Sequence, residues 1–250
     1  MAQTQNKVAL ITGGAKRIGA HIAQRLHAAN MNIVIHYRSS SKAARALQAE
    51  LNAARKNSCV LIQADLTEHS KLKAMVDETA EHMGRLDVLV NNASTFYPTP
   101  LTNAQEKDWD ALFETNLKAP FFLAQAAAPH LKKHSGCIIN LIDIYAERPL
   151  EDHPIYCATK AGLASLTRSF AQSLAPDIRV NGISPGAILW PEPTHIQGQD
   201  EVAQKRLLSR IPLKRLGAPK DIANTALFLI ESDYITGQII QVDGGRTTMP

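Results

Sequence analysis

Two periodicities alternate along the chain. Nearly continuous apolar runs rich in Val and Ile fall at residues 8–12, 33–37, 59–63, 86–90, 137–142, 179–183 and 238–242. They lack the in–out alternation of a half-exposed strand, and strands read this way when both faces of a parallel sheet are covered. Between them, residues 18–29, 42–54, 70–83, 109–130 and 156–174 carry apolar positions at three- and four-residue spacing, as amphipathic helices do. Strict alternation of the two predicts an α/β fold: a Rossmann-type doubly wound parallel sheet of about seven strands, with helices on both faces and right-handed crossovers. No repeat, low-complexity tract or linker interrupts the pattern, so residues 1–250 read as one domain. One stretch breaks the rhythm. Residues 189–210 contain Trp190, Pro191, Pro193, His195 and Gly198 and then a helical segment. Following a strand end and the Pro185-Gly186 turn, this stretch is a candidate lid over a site; an ordinary surface excursion is the alternative.

Composition narrows the setting. Hydrophobic residues are 45% of the chain and charged ones 20%, which places it among ordinary globular proteins and sets disorder aside. The balance of 27 Lys+Arg against 23 Asp+Glu leaves +4, a mild excess that suits an anionic small molecule and is no nucleic-acid footprint. Cys59, Cys137 and Cys157 are widely spaced and read as reduced core thiols in a reducing compartment. The histidines show no metal-ligand spacing, so no metal is expected. The polar start, Met1 to Lys7, has no signal-peptide core, and the first apolar run is too short to span a membrane. The expected address is the cytoplasm.

The chemistry begins where the first strand runs into Thr12-Gly13-Gly14-Ala15-Lys16-Arg17-Ile18-Gly19. Glycines let a backbone turn sharply against a pyrophosphate, and a helix N-terminus beyond supplies free N–H donors. The second strand ends His36-Tyr37-Arg38-Ser39, without the acidic residue that would hold a ribose 2′-hydroxyl. Arg38, backed by Ser39 and Lys16, offers charge and donors to a 2′-phosphate instead, which predicts NADPH/NADP+ over NADH. Asp65, followed by Leu66, is placed to accept from an adenine amino group; a helix N-cap is the competing role. Asn91-Asn92-Ala93 ends the fourth strand, where side-chain amides can brace strand ends and a ribose. Tyr156 and Lys160, four apart on one helix face, form a general-acid pair in which an ammonium favours the phenolate and lowers the Tyr pKa.

The joint pattern of Thr12-Gly13 to Gly19, Asn91-Asn92-Ala93, Asn116, Tyr156-Cys-Ala-Thr-Lys160 and Arg179-Val-Asn-Gly-Ile-Ser-Pro-Gly186 resembles the short-chain dehydrogenase/reductase family over essentially the whole chain. The resemblance implies an Asn–Ser–Tyr–Lys tetrad, with Asn116 orienting a water in a proton relay and Lys160 also holding the nicotinamide ribose. It adds Ile18, Pro185 and Gly186 to the cofactor contacts, along with the residues above. One member departs: the serine position, thirteen before Tyr156, is Asp143 in Asn140-Leu-Ile-Asp-Ile144. A carboxyl group can deliver a proton where serine only polarises a ketone; a decayed serine site or a cap residue is the alternative. Asp143, Arg17 in place of the middle glycine, His36 to Ser39, and Asn92-Ala-Ser-Thr-Phe-Tyr-Pro-Thr-Pro100 together are similar to the pteridine reductase subgroup. That likeness implies a pterin or folate substrate stacked on Phe96, hydrogen bonds from Ser94 and Arg17 to substrate or cofactor phosphates, and protons from Tyr156 and Asp143. The run Thr236 to Gly245 also resembles the wider short-chain family, which implies a homotetramer; a sheet edge within one subunit is the alternative. A 3-oxoacyl-thioester reductase of the same fold and a non-catalytic NADPH-binding regulator are the competing functions.

Overall fold

The computed structural model describes residues 4–189 and 201–249. In chain order the first half gives β1 (Val8–Ile11), α1 (Arg17–Ala28), β2 (Asn32–Tyr37), α2 (Ser41–Ala54), β3 (Cys59–Gln63), α3 (His69–Met83) and β4 (Val88–Asn91). The second half gives α4 (Glu106–Phe113), α5 (Ala119–Lys132), β5 (Cys137–Leu141), α6 (Pro154–Leu174), β6 (Arg179–Pro185), α7 (Glu201–Ser209), α8 (Pro219–Glu231) and β7 (Ile239–Val242). All seven strands pair in parallel, in the order β3-β2-β1-β4-β5-β6-β7. Each predicted strand is present, displaced by at most a residue or two at its ends.

Burial explains the unbroken apolar runs. Along β1, Ala9 and Ile11 join one core layer with α1, α2 and α8, while Val8 and Leu10 join the other with α3, α5 and α6. Both faces are therefore dry, and each fully buried Leu or Ile stabilises the fold by roughly 1.5–3 kcal/mol. The chain leaves β1 to one side of the sheet and returns from β3 to the other side of β1 as β4. The order reverses there, which opens a crevice at the carboxyl ends of β1 and β4.

Two helical expectations need correction. The stretch 109–130 is not one helix: α4 and α5 are joined by a π-helical turn, Glu114–Lys118, in which buried Asn116 sits. Such wide turns occur where a side chain must be re-aimed. Helix α8 lies outside the stretches predicted helical. It is started by Pro219 at its first turn and by Asp221, whose Oδ2 accepts from the Ala218 N–H at 2.8 Å. Within the stretch 189–210, α7 supplies the predicted helical segment, and the predicted lid positions Trp190 to Gly198 lie outside the described residues.

Candidate active site

The crevice holds a cleft of about 390 Å³, lined by the glycine loop, the end of β2, the 65–66 turn and the end of β4. Gly13, Lys16, Arg17, Ile18, His36, Tyr37, Arg38, Ser39, Asp65, Leu66, Asn92, Ala93 and Ser94 all line it, as the sequence predicts. Ser40, Thr95 and Thr115 line it too and were not expected; a Ser-Ser pair beside Arg38 was the available signal for the first.

The loop shape follows from close packing. Gly13 has φ +60, and a Cβ there would stand 3.0 Å from Ala93 Cα. A Cβ on Gly19 would stand 2.5 Å from the Gly13 carbonyl oxygen and 2.6 Å from Asn92 Nδ2. Asn92 Nδ2 donates to the carbonyls of Thr12 (2.8 Å) and Gly13 (3.1 Å), so the amide braces two strand ends, as predicted. Arg17 is the non-glycine surprise: it holds φ +51 at the start of α1. No side chain caps α1 at Lys16, and its first turn has no acidic residue. With the cationic side chains of Lys16, Arg17 and Arg38 on the lining, this end fits a polyphosphate.

His36 and Asp65 line the cleft and also make hydrogen bonds within the protein. The His36 ring, 2% exposed, is committed to protein: Nδ1 accepts from the Gly13 N–H at 3.1 Å and Nε2 donates to the Ala64 carbonyl at 3.1 Å. Burial pushes its pKa below the ordinary 6.5. Asp65 Oδ1 takes both the Thr67 N–H (3.0 Å) and hydroxyl (2.9 Å), which, with burial opposing, hold its carboxyl below the usual range. It caps a turn rather than α3, whose first residue is His69, and its second oxygen has no part in that turn.

At the other end, Tyr156 and Lys160 project from one face of α6, 4% and 2% exposed. The Tyr156 hydroxyl donates to Asp143 Oδ2 at 2.9 Å, and Asp143 Oδ1 accepts the Tyr145 N–H at 3.0 Å. Asp143 is half-buried, and its desolvation raises its pKa against the pull of Tyr145 and Lys160. The expected effect of Lys160 on Tyr156 is not what the geometry gives. Lys160 Nζ donates to the Leu141 carbonyl at 2.9 Å and stands 5.6 Å from the Tyr156 ring centre. Its field falls on Asp143, while burial and the Asp143 carboxylate push Tyr156 well above 10. Tyr156 is held as the phenol, the proton-donor form. Burial lowers Lys160 to about 8, with Asp143 opposing that fall.

Asn116 ties this corner to the β4 exit. Its Oδ1 accepts from the Thr95 N–H (2.8 Å) and the Ser94 hydroxyl (3.1 Å), and its Nδ2 donates to the Thr95 carbonyl (2.9 Å) and Thr159 (3.3 Å). The side-chain amide is engaged with protein and brings Ser94 beside Asn116. Phe96 is 52% exposed and meets the Tyr156 ring edge-on at 4.7 Å, which corrects any reading of it as a core aromatic. His153 stacks on Phe96 at 4.6 Å, a contact that spacing alone does not reveal. Pro185 and Gly186, predicted as cofactor contacts, stand at the end of β6 outside the cleft lining, and the Gly186 N–H donates to the Val242 carbonyl at 3.0 Å. The three cysteines are free and buried, as predicted. Among the described residues no helix is long and apolar enough to cross a membrane.

Known proteins share this frame. The family model described as Enoyl-(Acyl carrier protein) reductase matches residues 13–247. Pteridine reductase 1 of Leishmania tarentolae is 36% identical, covering 95% of each chain. The 3-oxoacyl-[acyl-carrier-protein] reductase FabG of Staphylococcus aureus is 39% identical, covering 96% of this chain and 97% of the relative. The chain belongs to the short-chain dehydrogenase/reductase family and is an NAD(P)-dependent oxidoreductase.

Proposed function

We propose that this enzyme uses NADPH to reduce pteridines, meaning dihydropterins or folates. The observation that carries the reading is the 2.9 Å hydrogen bond from Tyr156 to Asp143, beside the half-exposed Phe96, one face of which His153 covers. Reducing a pterin C=N bond requires a proton at a ring nitrogen, and a phenol backed by a carboxyl group supplies one. A flat heteroaromatic ring gains from stacking on Phe96, whereas a flexible acyl chain gains little from its face.

The nicotinamide cofactor, when bound, supplies the hydride. The chain supplies the rest. The α1 N-terminus, Lys16 and Arg17 hold the diphosphate, Arg38 and Ser39 hold the 2′-phosphate, and Asp65 and Leu66 border the adenine. Ala93, Pro185 and Gly186 border the nicotinamide half, and Lys160 reaches the ribose. Tyr156 gives its hydroxyl proton to the substrate nitrogen. Asp143, whose raised pKa favours taking up a proton from solvent, then passes that proton to the phenolate. Lys160 offsets the charge this leaves. Asn116 fixes Ser94 and Thr95, so that Ser94 and Arg17 meet the substrate's polar edge. In this reading residues 1–250 form one domain, and the enzyme works in the cytoplasm as a homotetramer, which sedimentation would check.

FabG's equal likeness makes 3-oxoacyl-thioester reduction the second reading. The experiment follows NADPH oxidation at saturating dihydrobiopterin, dihydrofolate and a 3-oxoacyl thioester. Turnover with the pterins alone is the expected result. Turnover with the thioester alone overturns the pterin reading, and absence of any turnover with intact NADPH binding favours a regulator.

A further inference from the structure

His36 joins the two walls of the cofactor cleft. Through its ring it takes the Gly13 N–H at 3.1 Å, and through its own carbonyl it takes the Gly14 N–H at 3.0 Å. Two successive amides of the glycine loop are thus fixed by one residue. On its other side the ring reaches the Ala64 carbonyl at 3.1 Å, at the start of the turn that carries Asp65 and Leu66. The partners define the proton's place. A backbone N–H can only donate, so Nδ1 must be the acceptor; a carbonyl can only accept, so Nε2 must carry the hydrogen. Only the neutral Nε2–H tautomer satisfies both.

We propose that His36 is a positioning residue: a neutral strut that sets the width of the cofactor cleft, and whose protonation at acid pH releases the cofactor. The proposal rests on the cofactor-binding reading of this cleft and not on the identity of the substrate. An imidazolium would turn Nδ1–H toward the Gly13 N–H, donor against donor, and push the glycine loop off its wall. Burial favours the neutral ring. The titratable side chains lining the same cleft are Asp65 from the β3 exit, Lys16 and Arg17 from the glycine loop, and Tyr37 and Arg38 from β2 and its exit. Asp65 favours the charged ring; Lys16, Arg17 and Arg38, as cations, do not. Because the folded protein binds this proton more weakly than an unfolded chain, whose histidine titrates near 6.5, the linkage has one sign. Its stabilising contribution is complete above that pH and is lost as pH falls below it.

The test is the pH dependence of NADPH affinity, read by nicotinamide fluorescence, in the wild type and in His36→Asn. Asparagine keeps an acceptor near the position of Nδ1 and cannot become charged. The 2′-phosphate itself takes up a proton near pH 6, so the difference between the two proteins is the readout. Near pH 8 the wild type binds about 10-fold tighter, the worth of one well-placed buried hydrogen bond. As pH falls through the folded-state pKa of His36, which lies below 6.5, the two converge. Parallel profiles overturn the proposal. Should the variant fail to fold, the imidazole ¹⁵N spectrum of the wild type decides instead. A neutral Nε2–H ring at neutral pH is expected, and a charged ring or the Nδ1–H tautomer overturns the strut. If the wild type binds no NADPH at any pH, the cofactor reading has failed, and the spectrum still judges the strut.

Discussion

The cofactor wall and the proton-transfer corner face the same crevice but are held by different physics. The cofactor wall is mostly backbone, pinned by neutral side chains: Asn92 to the carbonyls of Thr12 and Gly13, and His36 to Gly13 and Ala64. The corner is side chain against side chain, with the ionisable Asp143, Tyr156 and Lys160 drawn together where solvent is scarce. A wall of backbone dipoles presents a fixed shape and works at any pH that leaves its pins neutral. A corner of buried charges has strength only as a set, because removing one member leaves the others with desolvation that nothing offsets. Changes to the wall should therefore appear in cofactor affinity, and changes to the corner in turnover.

The sharpest way to break that division is Asp143→Ala. The variant should lose at least ~10²-fold in kcat for dihydropterin, the usual weight of a positioned proton donor, with NADPH affinity unchanged. Pre-steady-state hydride transfer and a separate NADPH titration would measure the two. Unaltered turnover removes Asp143 from the proton path. A matching loss of NADPH affinity shows instead that corner and wall are one unit.

The wall offers the next largest effect. Arg38 is exposed at the end of β2, with its carbonyl held by Gln63 Nε2 at 2.9 Å. Its side chain can therefore be changed without opening the core. Arg38→Asp should weaken NADPH binding by about 10- to 10²-fold, the scale of a charge-assisted hydrogen bond replaced by repulsion. NADH, which has no 2′-phosphate, should bind better than to the wild type. Titration with both cofactors measures the ratio; an unchanged ratio moves the 2′-phosphate away from Arg38.

The same contrast decides how much was legible in the sequence. The sheet was, because seven apolar runs buried on both faces leave an unbroken trace in composition. The cleft lining was, because glycines, the missing acid after β2 and Arg38 each act where they stand. Helix α8 was legible too, in Pro219, Asp221 and the spacing of Ile222, Ala226, Leu229 and Ile230, although it lies outside the stretches predicted helical. The corner was legible only as a list of names. Its chemistry comes from burial and from which partner each group meets: Lys160 turned to Leu141, Tyr156 to Asp143, the Asn116 amide closed on Thr95. Linear spacing placed Tyr156 and Lys160 on one face and could not say that burial and the Asp143 carboxylate would outweigh the lysine at the phenol. For His36 the chain position marked the cleft, and only the fold shows both ring nitrogens engaged with protein.

The smallest effect tests whether the wall stores strain for function. Arg17 holds φ +51 where a glycine would sit without cost, and an L-residue in that region costs roughly 1–2 kcal/mol. Arg17 lies on the cleft lining, so the strain is read as kept for what the guanidinium does there. Arg17→Gly should therefore raise the melting temperature by about 2–4 °C, the shift expected for about 1 kcal/mol in a chain of this size. Glycine's greater freedom in the unfolded chain takes back part of the relief, which keeps the expected gain at the lower end of the strain. The same variant should raise KM for the pterin or for NADPH several-fold, by losing one charged donor. Calorimetry beside steady-state kinetics separates the two. A gain in stability with unchanged kinetics would mean that Arg17 touches neither ligand. A loss of stability would mean that the side chain holds the loop itself, placing Arg17 with His36 and Asn92 among the pins of the wall rather than among the groups that meet the substrate.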